Sequence, residues 1–145
     1  IVCESYKTNS DFLSWALDWF NSMGMILKEM NAEDHDKHIA YVSHLSHISS
    51  FILGQTVLEK EKDESAIFAM AGSGFASTVR LAKSSPETWS SIFEENKENI
   101  LETLKHYLSN LEEFKILLEE DNFNKIYKII DKTNSIKTVL EGIKN

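Results

Sequence analysis

Ile100-Leu101-Glu102-Thr103-Leu104-Lys105-His106-Tyr107-Leu108-Ser109-Asn110-Leu111-Glu112-Glu113-Phe114-Lys115-Ile116-Leu117-Leu118 is the stretch that decides the fold class. Ile100, Leu104, Tyr107, Leu111, Phe114 and Leu118 alternate steps of four and three. That is a repeat of about 3.5 residues, which marks helices packed side by side. Upstream, Ser85-Pro86-Glu87 reads as a helix start, with serine as the cap and proline at the first position. One helix is therefore expected from there to near Glu120. Downstream, Asp121 or Asn122 opens a last helix with Phe123, Ile126, Ile130, Val139, Leu140 and Ile143 as its apolar positions. The single proline, Pro86, and the few glycines permit long uninterrupted helices. The expected fold class is all-α, a helical bundle.

Nearer the start, Thr8-Asn9-Ser10-Asp11 is a capping signal, with an acid three residues after Thr8. Phe12, Leu13, Ala16, Leu17, Phe20 and Met23 follow at helical spacing, and Gly24 is the expected stop. Ile1–Tyr6 and Met25–Met30 are short apolar segments that could be strands. Residues 1–30 are accordingly read as a connecting segment or the tail of an upstream nucleotide-binding domain, and 31–145 as one helical domain. Asn31-Ala32-Glu33-Asp34 is a second cap, from which a helix can run to about Leu58. One of its stripes is apolar (Tyr41, Leu45, Ile48, Ile52). Another is small or polar (Ser43, His47, Ser50, Gly54). Such a helix usually faces a core on one side and a cavity on the other. Glu59–Glu64 is a charged turn, Ala66–Ala71 a short helix closed by Gly72-Ser73-Gly74, and Phe75–Lys83 another helical stretch.

With 145 residues, the chain is long enough for one compact domain. A net charge of −8 argues against nucleic acid, whose phosphates need a basic face, and against an anionic membrane surface. No apolar run reaches the length of a membrane span. Cys3 is the one cysteine, so no internal disulfide forms, which fits a cytoplasmic protein.

Three features could carry chemistry. Four of the five histidines, His35, His38, His44 and His47, fall within thirteen residues. Each pair has the i,i+3 spacing of metal ligands, but the pairs do not converge on one helix, so no metal is expected. His47 beside Ser43 instead suits hydrogen bonding in a cavity. Gly72-Ser73-Gly74-Phe75-Ala76-Ser77 partly mimics a dinucleotide fingerprint, yet it follows a helical segment where that fingerprint needs a strand. Its small residues suit a ligand approaching a helix start. Arg80 is the only arginine, every other cation being lysine. Its planar fork can take a carboxylate bidentately, as lysine cannot. Trp89, at the start of the next helix, could wall the same cavity. Asn96 interrupts an apolar stripe and is expected to tie down a neighbouring helix end.

The runs Glu33-Asp34-His35-Asp36 and Ala40-Tyr41-Val42-Ser43-His44-Leu45-Ser46-His47 resemble the His-Asp and Ser-His-Leu-Pro-His signatures of prephenate dehydrogenases. Gly72 to Ala82 is similar to that family's glycine-rich turn and Thr-x-Arg-hydrophobic-Ala, here Thr78-Val79-Arg80-Leu81-Ala82, and Ser85-Pro86, Trp89, Ile92 and Asn96 continue in order. The resemblance implies the C-terminal dimerisation domain of an NAD-dependent enzyme that oxidatively decarboxylates prephenate to 4-hydroxyphenylpyruvate in tyrosine biosynthesis. It implies that Arg80 binds a substrate carboxylate, that Ser43 and His47 contact the pyruvyl side chain, that Trp89 lines the pocket, either within one chain or across a dimer interface, and that Ser73 and Ser77 are also substrate-binding. The Rossmann domain that holds NAD and the catalytic histidine would lie outside this stretch, so no catalytic residue is expected within it. A homodimer and inhibition by tyrosine are also implied. Ser46 replaces the family's proline, and Ser77 replaces an aspartate close to the arginine. Two alternatives remain open: an arogenate dehydrogenase domain, and a non-catalytic tyrosine-sensing dimerisation module.

Overall fold

A computed structural model describes residues 1–62 and 66–142. The fold is all-α, as the sequence predicts. Its helices are α1 (Ser10–Ser22), α2 (Ala32–Ile39), α3 (Leu45–Glu61), α4 (Ser73–Thr78), α5 (Pro86–Glu95), α6 (Lys97–Glu119), α7 (Phe123–Thr133) and α8 (Ile136–Gly142). Among the described residues no helix is long and apolar enough to cross a membrane. The chain divides into two compact units, Ile1–Thr103 and Leu104–Asn145.

Capping chemistry sets the helix ends. Asn9, not Thr8, caps α1, its side chain accepting from the Asp11 and Phe12 amides. Gly24, at φ 76°, turns the chain out of α1 in the left-handed conformation that glycine adopts without cost. Asn31 caps α2 by accepting from Asp34 N at 2.7 Å, and its amide donates back to the Asp34 carboxylate at 2.7 Å. Ser85 accepts from the Thr88 amide, with Pro86 in the first turn of α5, as expected.

Several expected elements are broken or shortened. Met25–Met30 is not a strand of a sheet; only an isolated parallel bridge joins Val2 to Glu29. The long helix from Asn31 is interrupted by a π-helical turn at Ala40–His44, which separates α2 from α3. Among the described residues of Ala66–Ala71, only Phe68–Met70 is helical, as a 3₁₀ turn. Phe75–Lys83 is not one helix: α4 ends at Thr78 and a 3₁₀ turn at Arg80–Lys83 follows. The expected helix from Ser85 to Glu120 breaks at Asn96, which leaves helical geometry (φ −111°, ψ 26°) to turn its carboxamide inward. The last helix divides at Asn134-Ser135, residues whose side chains compete with helical hydrogen bonds. Asp63 and Glu64 of the predicted turn, and Ile143, lie outside the described residues.

The first unit buries Ala40, His44, Ser50, Asn96, Ile100 and Thr103. Rings join α3 to α5: Phe51 meets Phe93 edge-on at 6.4 Å, and Phe93 is tilted against Trp89 at 5.5 Å. In the second unit Leu117 and Ile126 are buried, Asn122 caps α7, and Lys125 pairs with Glu113 at 2.9 Å. This exposed pair adds at most about 1 kcal/mol. Much of the predicted apolar pattern is not covered within the chain: Tyr41 and Ile52 on α2–α3, Leu111 and Leu118 on α6, and Phe123 and Ile130 on α7 are all exposed.

Candidate functional site

The π-helical turn places the Ser43–His47 segment. Inserting an extra residue into a turn advances the side chains that follow it around the axis, a distortion frequent where helices carry function. Ser43 and His44 lie in this turn, and His47 lies in the first turn of α3. His47 Nδ1 is 3.0 Å from the Ser43 carbonyl oxygen. A carbonyl only accepts, so Nδ1 carries a proton and donates to it. The Trp89 indole, in the first turn of α5, stacks on this imidazole with 3.4 Å between centroids and 22° between planes. His44 meets the same indole edge-on at 6.0 Å.

A cleft of about 510 Å³ opens beside these rings, lined among others by Ser43, His44, Trp89, Asp36, Glu95 and Asn96. Asn96 Nδ2 donates to the Asp36 carbonyl at 2.8 Å and lies 3.3 Å from His44 Nδ1, while Asn99 Nδ2 donates to Asn96 Oδ1 at 2.7 Å. Asn96 thus ties down the last turn of α2, the role its sequence position predicts. Burial pushes the His44 pKa below the usual imidazole value; proximity of His47 adds to this, and Asp36 opposes it.

Ser50, 1% exposed, fixes the segment that carries Arg80. Its hydroxyl donates to the Thr78 carbonyl at 3.0 Å and accepts from the Ala82 amide at 3.1 Å, bracketing Arg80 on both sides. Gly54, one turn further along α3, completes the close approach, since a Cβ there would lie 3.7 Å from Ala82 Cβ. The small-polar stripe of α3 therefore has two uses: Ser43 and His47 border the ring cluster, and Ser50 and Gly54 seat the Arg80 turn.

Of the predicted site residues, the structure brings together Ser43, His47 and Trp89. Arg80 is exposed in its 3₁₀ turn, anchored to the same helix through Ser50. Ser73 and Ser77 are exposed on α4, and neither lines the cleft. His44 was legible only as half of an i,i+3 histidine pair, and its partner Asn96 lies far away in sequence. His35 lines the same cleft as His44 and contacts Asp36 at 2.9 Å, whereas His38 is exposed. Among the described residues no three His, Cys, Asp or Glu side chains are grouped to hold a metal.

The glycine turn does not fit a dinucleotide. It follows a 3₁₀ turn rather than a strand, and a Cβ at Gly72 or Gly74 would meet nothing within 4 Å, so no tight cradle exists there.

Fold and site together define an all-α domain with an aromatic-walled cleft at a π-interrupted helix, and an arginine whose turn is anchored to the helix that follows. Residues 31–132 match the family described as "Prephenate dehydrogenase, dimerization domain", and the chain belongs to that family. It is 26% identical over 116 residues to the cyclohexadienyl dehydrogenase of Zymomonas mobilis, covering 79% of this chain and 40% of that protein. It is 26% identical over 128 residues to the prephenate dehydrogenase of Bacillus subtilis, covering 88% and 34%. Among solved structures, Aquifex aeolicus prephenate dehydrogenase in complex with hydroxyphenyl propionate and NAD⁺ superposes with a TM-score of 0.82 at 28% identity, covering 92% of this chain and 47% of that one. The Synechocystis arogenate dehydrogenase shares the fold, with a TM-score of 0.73 at 21% identity. The chain spans less than half the length of each of these relatives.

Proposed function

We propose that this chain is the substrate-binding and dimerisation part of an NAD-dependent prephenate dehydrogenase of tyrosine biosynthesis, a cytoplasmic enzyme. The observation that carries the reading is the convergence of Ser43 and Trp89, residues of two separate family motifs, at one aromatic-walled cleft, with His47 stacked on the Trp89 indole. The A. aeolicus relative, whose ligand is a phenol bearing a carboxylate chain, supports the ligand class.

In this reading the chain's own groups bind and orient. Trp89, backed by His47, walls the substrate ring, Ser43 and His47 meet its polar side chain, and Arg80 pairs with a carboxylate. Such positioning lowers a barrier through pre-paid orientation and charge pairing rather than proton transfer. NAD would be held by a nucleotide-binding domain outside these residues. Tyrosine, a phenol with a carboxylate, would compete for the same wall.

A homodimer is part of the proposal. Leu111, Leu118, Phe123 and Ile130 are each half exposed or more, apolar side chains that a second copy would cover.

The test is formation of NADH from prephenate by the polypeptide that joins this chain to a nucleotide-binding domain. Turnover is expected. A folded, NAD⁺-binding protein that leaves prephenate untouched overturns the reading. Arogenate is the second substrate to assay, because Asp36 and Glu95 on the cleft could receive its ammonium group.

A further inference from the structure

The buried pair His44 and Asn96 has a geometry that fixes a protonation state. The Asp36 carbonyl can only accept, so the Asn96 atom 2.8 Å from it must be the amide nitrogen. Asn99 donating to Asn96 Oδ1 at 2.7 Å agrees with that orientation. The same nitrogen therefore presents its second hydrogen to His44 Nδ1 at 3.3 Å, and Nδ1 must offer a lone pair. His44 is then the neutral Nε2–H tautomer. A proton at Nδ1 would face a donor, and rotating the carboxamide to relieve this would set its oxygen against the Asp36 carbonyl. Both residues are under 10% exposed, so water does not relieve the conflict.

His44 also touches the ring that walls the site: it meets Trp89 edge-on at 6.0 Å and 81°, while Trp89 lies flat on His47. We infer that His44 and Asn96 are positioning residues: Asn96 holds His44 neutral, and neutral His44 keeps the Trp89 indole seated on His47, so that protonating His44 unseats this wall of the cleft. Its consequence for substrate rests on the function proposed above; the seating of Trp89 does not.

The charged or titratable groups facing His44 are His47 on α3, and Asp36 with His35 near the end of α2. Glu95 of α5 lines the same cleft, and α6 contributes the uncharged Asn99. Burial, then His47, work against the proton, Asp36 favours it, and His35 adds a smaller opposition. The wall is thus seated at neutral pH and released in acid.

The test is ¹⁹F NMR of the full chain labelled with 5-fluorotryptophan, the Trp89 signal being identified by its loss in Trp89→Phe. Between about pH 8 and pH 5 this signal is expected to shift in one step centred below the ordinary imidazole value of about 6.5. In His44→Gln, whose side-chain oxygen still accepts from Asn96, the step should vanish. In Asn96→Asp, whose carboxylate favours a proton on Nδ1, the step should move to higher pH. A Trp89 signal unmoved by pH overturns the inference. So does a step that persists unchanged in His44→Gln, or one that a folded Asn96→Asp leaves in place. If Asn96→Asp does not fold, His44→Gln alone decides. Because no substrate is used, failure here leaves the dehydrogenase reading standing, and failure of that reading leaves this result intact.

Discussion

The Trp89 indole and the His47 imidazole lie face to face, 3.4 Å apart between centroids, although they belong to α5 and α3. Offset and edge-on aromatic pairs contribute about 0.5–1.5 kcal/mol beyond the area they bury, and a face-to-face pair less, so most of what Trp89 supplies here is the buried area itself. Trp89→Ala removes both the pair and the cleft wall. It should weaken binding of a phenolic carboxylate by about tenfold or more, whereas Trp89→Phe should retain part of the affinity. Calorimetric titration of the two variants checks this; equal affinities would place the ligand elsewhere.

Arg80→Lys keeps the charge and loses the fork. Charge-assisted hydrogen bonds contribute about 1.5–3 kcal/mol each, so losing one raises the substrate KM by about 10- to 150-fold. NAD⁺ affinity should not move, since Arg80 belongs to the substrate half of the account. Steady-state kinetics with each substrate varied in turn reads both numbers.

Ser50 and Gly54 hold the Arg80 turn against α3. Ser50→Ala removes the donor to the Thr78 carbonyl, while the Ala82 amide keeps its bond to the Val79 carbonyl, at a cost of about 1–3 kcal/mol in urea unfolding. Gly54→Ala places a Cβ at ordinary contact, 3.7 Å from Ala82 Cβ, and removes a glycine from a helix interior. It should stabilise by about 0.5–1 kcal/mol. Gly54→Leu should instead push the turn away and destabilise. Opposite signs for Gly54→Ala and Gly54→Leu are the decisive outcome.

The pH dependence of stability follows from His44. Its folded pKa is below the unfolded value of about 6.5, so the unfolded chain binds the proton more readily. Stability from this group is full above pH 6.5, declines as pH falls below it, and is gone once pH has passed the folded pKa. The urea midpoint should therefore fall between about pH 7.5 and pH 5, and fall less in His44→Gln. Equal losses in both proteins would assign the effect to other groups.

Much of the local structure is legible because its causes are local. Asn31, the Ser85-Pro86 pair and Gly24 mark their helix ends through cap and φ chemistry that operates within a few residues. The π-helical turn at Ala40–His44 is not legible, because nothing in those residue types excludes an ordinary α-turn. Asn96 shows the same limit. Its interruption of an apolar stripe is readable, but the carbonyl and imidazole it serves belong to a distant segment. The 3.5-residue repeat on α6 predicts helix-on-helix packing, yet Leu111 and Leu118 remain exposed, so the pattern anticipates a surface the chain does not itself cover. Ser43, His47 and Trp89 were recognisable from family motifs, while the stacking that joins two of them depends on how α5 lies on α3. Ser73 and Ser77 share the same resemblance but stand apart from the cleft.

The central claim is that Arg80 and the Trp89–His47 wall receive a ring-bearing carboxylate. The most direct test is calorimetric titration of the NAD⁺-loaded full-length protein with hydroxyphenyl propionate, the phenolic carboxylate held by the A. aeolicus relative, which is not turned over. The account predicts saturable heat with wild type, and a loss of at least about tenfold in affinity, equivalent to 1.4 kcal/mol, in both Arg80→Gln and Trp89→Ala. Undiminished binding in both variants, with the proteins folded, would contradict it.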